Sequence, residues 1–185
     1  AMVLSLQSGS AAAGENAKSA FISEMIGQLD RVKGQIVSLE GAIPQEKFSW
    51  RPAEGVRSIG EVYAHVAGSN YFFMTFVGAK PPVDMKQLMA QEKSEAATTD
   101  KAKLATSLTA SFEWTKSALS ALTDEDLEKQ VTMFGTKTSV RNVLLTMLGH
   151  IHEHLGQSIA YARSNGVVPP WTEEMQAQVK KSTGK

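Results

Sequence analysis

Cysteine is absent from this chain of 185 residues, and its absence excludes several classes of chemistry. Without thiols the chain has no disulfide framework, no thiolate nucleophile, no zinc ribbon and no iron–sulfur cluster. Any metal site must therefore use histidine, carboxylate or solvent ligands. Hydrophobic runs long enough to span a bilayer are also missing, so we expect no membrane partner.

Net charge is lacking as well, because 19 Lys and Arg residues balance 19 Asp and Glu residues. This balance argues against a broad basic surface for nucleic acid and against a polybasic membrane anchor. The chain also has no GxGxxG or GxxxxGK motif, which leaves nucleotide binding without support. A hydrophobic fraction of 42% in a chain of this length is instead typical of one globular domain with a sizeable core.

The first residues are small, mildly apolar and uncharged as far as Glu15. The alanines at 11–13 resemble a signal-peptidase site, but a basic region before them is missing. Two interpretations stay open for residues 1–16: a flexible leader of a cytoplasmic protein, or the remnant of an export signal. The domain prediction is then a bundle over 17–170 and a short terminal helix with a tail over 171–185.

Six prolines divide the rest of the chain, and because proline ends or kinks helices, the stretches between them can hold long ones. Apolar residues recur at three- and four-residue steps in four stretches. The Ser58-Ile59-Gly60-Glu61 tetrapeptide is a capping box at the start of the second stretch. The pattern predicts helices from Ala17 to Glu40, from Ser58 to about Gly78, from Lys101 to Leu122, and from Thr138 or Ser139 to about Arg163. Four amphipathic helices around one core predict an all-α four-helix bundle.

The connections carry weaker signals. Residues 79–100 predict a long connection with one helical turn near 87–91. Residues 131–138 are too rich in β-formers for a helix and predict a small extended loop. A short segment after Thr172 predicts a terminal helix.

Three of the four histidines lie within five residues of the fourth predicted helix. At about 100° per residue, His150 and His154 fall one turn apart on its apolar stripe, whereas His152 faces solvent. Two inward imidazoles one above the other need partners. A divalent metal that takes a lone pair from each ring provides them, and the alternative is a pair of core histidines satisfied by hydrogen bonds.

Two ligands rarely suffice for a metal, so a third must come from another helix. His65 lies at the edge of the apolar face of the second predicted helix, and a bundle can bring it opposite His150 and His154. Three neutral imidazoles plus water make a catalytic type of site, with open positions. Taken alone, a helical histidine is more often a packing residue, and that alternative stays open for His65 at this point.

Two segments, FSWRPAEGVRSIGEVYAHVAG and GHIHEHLGQSIAYAR, together resemble the DinB-like (YfiT-like) four-helix-bundle superfamily. The resemblance covers about residues 17–165, and its marks are Trp50-Arg51-Pro52, Ser58-Ile59, His65, and His150 with His154 ahead of Gly156-Gln157. It implies that the three histidines bind a divalent cation near one end of the bundle, usually zinc or nickel.

The resemblance also implies frequent homodimers and a small-molecule substrate, which in some relatives is a low-molecular-weight thiol such as mycothiol or bacillithiol. Without cysteine, thiol chemistry in this chain needs an external thiol bound to the metal. Glu153 stands where many relatives carry a further acidic residue or histidine, but its helical phase, about 100° from His154, argues against a metal role. Two functions stay open: a metal-dependent hydrolase or thiol transferase, and a non-enzymatic, stress-associated metal-binding or interaction protein.

Four further residues are candidates for the surroundings of this site. Gln157 is a candidate partner behind the metal ligands, and Tyr161 is a candidate pocket residue. Trp50 either lines a substrate mouth or caps the end of the bundle. Met147 lies close in phase to the histidine pair, and we expect it to be core filler rather than a copper ligand.

Overall fold

The structure, a computed structural model, describes residues 19–184, so the predicted leader lies outside the described residues. The described helices are α1 (Ala20–Ala42), α2 (Ile59–Phe76), α3 (Met85–Glu92), α4 (Glu95–Thr98), α5 (Lys101–Ser120), α6 (Asp124–Glu128), α7 (Val140–Ser164) and α8 (Pro170–Thr183). A 3-10 turn at Gln45–Lys47 follows α1, and two strands, β1 (Gln130–Met133) and β2 (Thr136–Ser139), form one antiparallel hairpin.

The four long helices α1, α2, α5 and α7 form a four-helix bundle, which confirms the predicted fold class. Helix α1 packs against α5 and α7, and α2 packs against the same two helices. The helices α1 and α2, consecutive among the long ones, therefore occupy opposite corners of the bundle. Helix α8 packs against α1. None of the helices in the described range is long and apolar enough to cross a membrane.

The core of the bundle is built from the apolar stripes that the sequence predicts. Each long helix contributes side chains with 0 to 1% exposure, such as Leu29, Tyr63, Phe112 and Met147. Full burial of one such side chain is worth about 1.5–3 kcal/mol, so these stripes hold the four helices together. The burial of Met147 agrees with its expected place in the core.

Capping residues fix where the long helices begin. The Ser58 hydroxyl accepts from the Glu61 amide at 3.2 Å, and the Glu61 carboxylate accepts from the Ser58 amide at 2.6 Å. The predicted capping box of α2 is therefore confirmed. The first described residue, Ser19, caps α1, which begins at Ala20; the predicted start, about Ala17, lies outside the described residues.

The connections hold more regular structure than the sequence predicts. The connection 79–100 contains two helices, α3 and α4, rather than one turn. Helix α6 was not predicted, although Thr123 and Asp126 form a second capping box at its start. Helix α8 begins at Pro170, before the predicted Thr172, because proline is well tolerated in the first turn of a helix.

The predicted extended loop at 131–138 forms most of the hairpin that precedes α7. Its strands pair in the register Gln130↔Ser139 to Met133↔Thr136, which leaves a loop of two residues, Phe134 and Gly135. Both loop residues have positive φ, 51° and 80°, which is the pattern of a type I′ turn. Strand β2 leads directly into α7, whose N-cap is Ser139, one of the two predicted candidates.

Candidate metal centre

Helices α2 and α7 bring His65, His150 and His154 together, as the helical phases predict. One ring nitrogen from each of the three residues lies within 4.8 Å of the other two. The Nε2 atom of His150 is 3.2 Å from Nε2 of His65 and 3.2 Å from Nε2 of His154. All three rings are half-buried, so the cluster lies between the core and the surface.

His152 lies apart from this cluster, as its helical phase predicts. Its side chain is exposed, and its Nδ1 atom lies 2.9 Å from the carbonyl oxygen of Leu148 on the same helix. The spacing of one turn therefore selects two of the three neighbouring histidines of α7 for the site. His152 is a natural control for any experiment on the other two.

A carboxylate at the end of α3 holds the outer nitrogen of His65. The Nδ1 atom of His65 is 3.0 Å from Oε1 of Glu92, and Nε of Arg57 donates to the same oxygen at 3.0 Å. Because a carboxylate only accepts, Nδ1 of His65 is the donor, and the neutral form of a ring with this proton has its lone pair on Nε2. Burial acts to raise the pKa of Glu92, but the hydrogen bonds from His65 and Arg57 and the charge of Arg57 outweigh it and hold that pKa below its ordinary value.

An amide holds the outer nitrogen of His154 in the same way. The Nδ1 atom of His154 is 2.8 Å from Oε1 of Gln157, while Nε2 of Gln157 donates to the hydroxyl oxygen of Tyr161 at 2.9 Å. The ring of Trp50 meets the ring of Tyr161 edge-on, with centroids 5.3 Å apart. Gln157 thus lies behind His154, where the sequence places it, and Trp50 packs against the residue that holds Gln157.

His150, the middle ring of the cluster, has no such outer partner among the described residues. Its Nδ1 atom is buried without a hydrogen bond. Burial first, and then the nearby charges of His154, His65 and Arg57, lower the pKa of His150 to about 4. Burial also lowers the pKa of His154. Both rings are therefore neutral at pH 7, which is the form that binds metal ions.

This donor set fits a divalent cation. The outer hydrogen bonds of His65 and His154 direct two Nε2 lone pairs toward Nε2 of His150. In the tautomer that carries the single proton of His150 on Nδ1, three Nε2 lone pairs converge, and a cation between them would remove their repulsion. The lowered pKa of His150 opposes a second proton on this ring. Imidazole nitrogen is a good ligand for zinc, nickel, copper and iron. Three such ligands leave coordination positions for solvent or substrate.

Several cavities lie at the histidine cluster and at its outer partners, and two of them are large. The first, which we name the aromatic cleft, has a volume of about 520 Å³, and its walls include His65, Phe72, Phe73, Phe134, His150 and Glu153. The second, which we name the charged basin, has a volume of about 610 Å³, and its walls include Arg51, Arg57, Glu61, Glu92, Lys93 and Gln157. The basin thus reaches the outer partners of two histidines, whereas the cleft reaches the rings of His65 and His150 themselves.

Sequence reasoning missed Glu92 and Arg57. Glu92 lies 27 positions after His65, on a helix that the sequence shows only as a turn. The available signal was general: a metal-binding histidine usually donates its other N–H to a carboxylate or a carbonyl. That rule predicts an acidic partner for His65 but does not select one among the 19 acidic residues.

Known proteins share the sequence features and the fold. The family model of the DinB superfamily matches residues 28–158. The uncharacterized protein YjoA of Bacillus subtilis (strain 168) is 30% identical over 129 residues, which are 67% of this chain and 77% of YjoA.

Two solved structures illustrate the similarity of fold. A DinB-like protein from Bacillus cereus ATCC 10987 superposes with a TM-score of 0.66 at 20% identity, over 81% of this chain and 93% of that protein. YfiT from Bacillus subtilis superposes with a TM-score of 0.62 at 17% identity, over 83% of this chain and 93% of YfiT. YfiT is described as a probable metal-dependent hydrolase with an unusual four-helix bundle topology.

Proposed function

The chain belongs to the DinB superfamily, and we propose that it is a metal-dependent enzyme that activates water or a low-molecular-weight thiol against a small-molecule substrate. One observation carries the proposal: ring nitrogens of three histidines converge within 4.8 Å, and two of these rings form part of the wall of an open cavity. A structural metal site is usually closed by four protein ligands, whereas a catalytic site keeps a position open. The description of YfiT as a probable metal-dependent hydrolase supports the same class of activity.

In this proposal His65, His150 and His154 hold the metal, with zinc or nickel as the expected ion. A divalent cation in such a site supplies Lewis-acid activation of water or a thiol at neutral pH. Glu92 and Gln157 fix the rings of His65 and His154 through Nδ1 and keep Nε2 available. The rings of His65 and His154 are thus oriented before the metal binds.

Glu153 is the residue to which we assign proton acceptance from the activated nucleophile. It follows His150 by three positions on α7, so the two side chains are neighbours on the helix surface. Both form part of the wall of the aromatic cleft. The exposed side chain of Glu153 can exchange protons with solvent after each reaction cycle. It is not one of the three residues whose ligand atoms lie together.

Turnover by the metal-loaded protein tests the proposal. The protein, purified without a nickel column, is stripped, reloaded with zinc or nickel, and assayed with p-nitrophenyl acetate and with 1-chloro-2,4-dinitrobenzene plus 2-mercaptoethanol. We expect metal-dependent release of nitrophenol or formation of the thioether, and the product identifies water or thiol as the nucleophile. Glu153→Gln should lower the rate about 10²–10⁴-fold without loss of metal. The exposed Glu174→Gln on α8 is the matched control.

A protein that binds metal stoichiometrically but turns over neither class of substrate would contradict the enzymatic proposal. That result would favour the non-enzymatic alternative, in which the bundle binds metal for storage, sensing or interaction. A protein without metal affinity would contradict both.

A further inference from the structure

Four phenylalanines from α2 and the hairpin form a cluster beside the histidines. The ring of Phe134, at the tip of the hairpin, has its centroid 6.0 Å from Phe72, 6.2 Å from Phe73 and 5.2 Å from Phe76. Phe134 is 66% exposed and Phe72 is 37% exposed, although both rings are large and apolar. The phenylalanine cluster therefore presents the rings of Phe72 and Phe134 to solvent, whereas Phe73 belongs to the core.

The backbone at Phe134 adopts the left-handed conformation, which costs free energy at a residue other than glycine. Its φ of 51° is the only positive value at a non-glycine residue in the described chain. The first position of a type I′ turn strongly prefers asparagine, aspartate or glycine, and a bulky side chain there costs free energy. Phe134 is thus an unfavourable residue for this turn, and its ring contacts the other three members of the phenylalanine cluster.

The phenylalanine cluster is continuous with the histidine cluster. The ring centroids of Phe73 and His150 are 5.3 Å apart, so an apolar wall leads directly to the middle ring of the metal centre. Phe72, Phe73 and Phe134 form the wall of the aromatic cleft on the side of the hairpin. The volume of this cleft, about 520 Å³, lies within the range of small-molecule sites, about 300–1,000 Å³.

We propose that the aromatic cleft binds the apolar part of the substrate, an aryl or acyl group, and that Phe134 determines this specificity. The inference rests on the proposed function, since it places the reacting group of the same substrate at the histidine cluster. An apolar group in the cleft contacts the exposed rings of Phe72 and Phe134 and leaves its polar end beside His150. Because the cleft is continuous with the histidines, a small molecule that reaches the metal is favoured as the occupant. A partner protein that only covered the rings would not need this continuity.

Binding of a neutral apolar fluorophore to the metal-free protein tests the cleft without reference to activity. We expect 1-N-phenylnaphthylamine to bind the full chain at one site and Phe134→Asn to weaken that binding about tenfold, because the variant removes one apolar wall. Asparagine suits the turn, so Phe134→Asn should fold with an unchanged or higher melting temperature. Met175→Asn, which changes a 59% exposed side chain on α8, is the matched control and should bind the fluorophore as wild type does.

Two metal-binding probes test whether the apolar site adjoins the metal. In the cobalt-loaded protein, benzohydroxamate should bind about tenfold more tightly than acetohydroxamate, and Phe134→Asn should abolish the difference without changing acetohydroxamate affinity. Equal affinity of the two hydroxamates in wild type would overturn the inference and leave the metal site intact. Absence of metal binding would instead overturn the proposed function, and the fluorophore result alone would then decide whether the cleft binds apolar groups.

The oligomeric state decides between a substrate and a second copy of the chain. Sedimentation of wild type and Phe134→Asn should give the same mass at every concentration. If Phe134→Asn converts a dimer into a monomer, a second copy occupies the phenylalanine cluster, and that result overturns the substrate inference. Equal fluorophore binding by wild type and Phe134→Asn overturns it too.

Discussion

His65 Nδ1 and Glu92 Oε1 lie 3.0 Å apart, and this contact joins the bundle to the connection between α2 and α5. Glu92 is the last residue of α3, and Arg57, just before the cap of α2, donates to the same oxygen. The connection is therefore part of the histidine site, because it supplies the group that orients one of the three rings. Two predictions follow from this arrangement.

Glu92→Gln should weaken metal binding by about 10–100-fold, as replacement of such outer partners usually does. The amide keeps an acceptor for Nδ1 of His65 but loses the charge that polarises the ring and binds Arg57. Competition with a fluorescent chelator measures the affinity, and Glu174→Gln on α8 controls for the loss of one exposed carboxylate. Equal affinities of wild type and Glu92→Gln would show that Glu92 does not act on His65.

Gly60→Ala should destabilise the protein and weaken metal binding together. A Cβ atom at Gly60 would lie 1.8 Å from the carbonyl oxygen of Thr98, so α4 would have to move away from the start of α2. Since α4 follows α3 directly, this movement should disturb Glu92. The control is Gly156→Ala on α7, where a Cβ would meet nothing within 4 Å; it should raise stability by about 0.5–1 kcal/mol. Thermal melts and chelator competition on both variants give the two readouts.

Ser58→Ala should lower the free energy of unfolding of the metal-free protein by about 0.5–2 kcal/mol, because it removes the N-cap of α2. His65 lies nearly two turns beyond this cap, so the number of metal ions per chain should not change. Urea unfolding and elemental analysis measure the two effects separately. Loss of metal by Ser58→Ala would mean that the first turn of α2 positions His65.

Glu40 should make the protein less stable as the pH rises above the ordinary carboxyl range. Its side chain is 2% exposed, and burial raises its pKa although the charge of Lys101 opposes this. In the unfolded state the carboxyl loses its proton as the pH rises past its ordinary pKa of 4.5, whereas in the folded state it keeps the proton up to a higher pH. The free energy of unfolding therefore falls as the pH rises from 4.5 to the raised pKa of the folded state. Glu40→Gln should remove the loss and raise the melting temperature at pH 7 but not at pH 4.

The matched control for this prediction is Glu46→Gln, an exposed carboxylate just after α1. It should leave the melting temperature unchanged at both pH values. If Glu40→Gln lowers the melting temperature at pH 7, the buried carboxylate stabilises the fold through its charge, and the sign of the prediction is wrong.

Local periodicity predicts that His150 and His154 share a site, whereas the assignment of His65 to that site depends on the resemblance to the DinB-like superfamily. The positions of His150 and His154 on one stripe, and of His152 off it, depend only on helix geometry. The capping box of Ser58 and Glu61 is likewise local. The role of Glu92 could not be predicted from the sequence, because its contact with His65 depends on how α3 packs over α2. No periodicity in the sequence encodes that packing.

The paired strands of the hairpin were not predictable for a different reason. Its turn residues, Phe134 and Gly135, lack the Asn-Gly or Asp-Gly signature by which type I′ turns are recognised. The sequence therefore predicted an extended loop where the structure has paired strands. Helix α6 is different, since the pair Thr123 and Asp126 is a capping box, which is a local sequence signal for the start of a helix.

Metal titration of the metal-free full chain, purified without a nickel column, tests the central claim most directly. Wild type and His152→Ala should each bind about one divalent ion per chain, because three ring nitrogens remain in place. Single replacement of His65, His150 or His154 by alanine should abolish stoichiometric binding, since two imidazoles make a poor site. Binding that survives in His154→Ala but is lost in His152→Ala would contradict the account, as would wild-type protein that binds no metal at all.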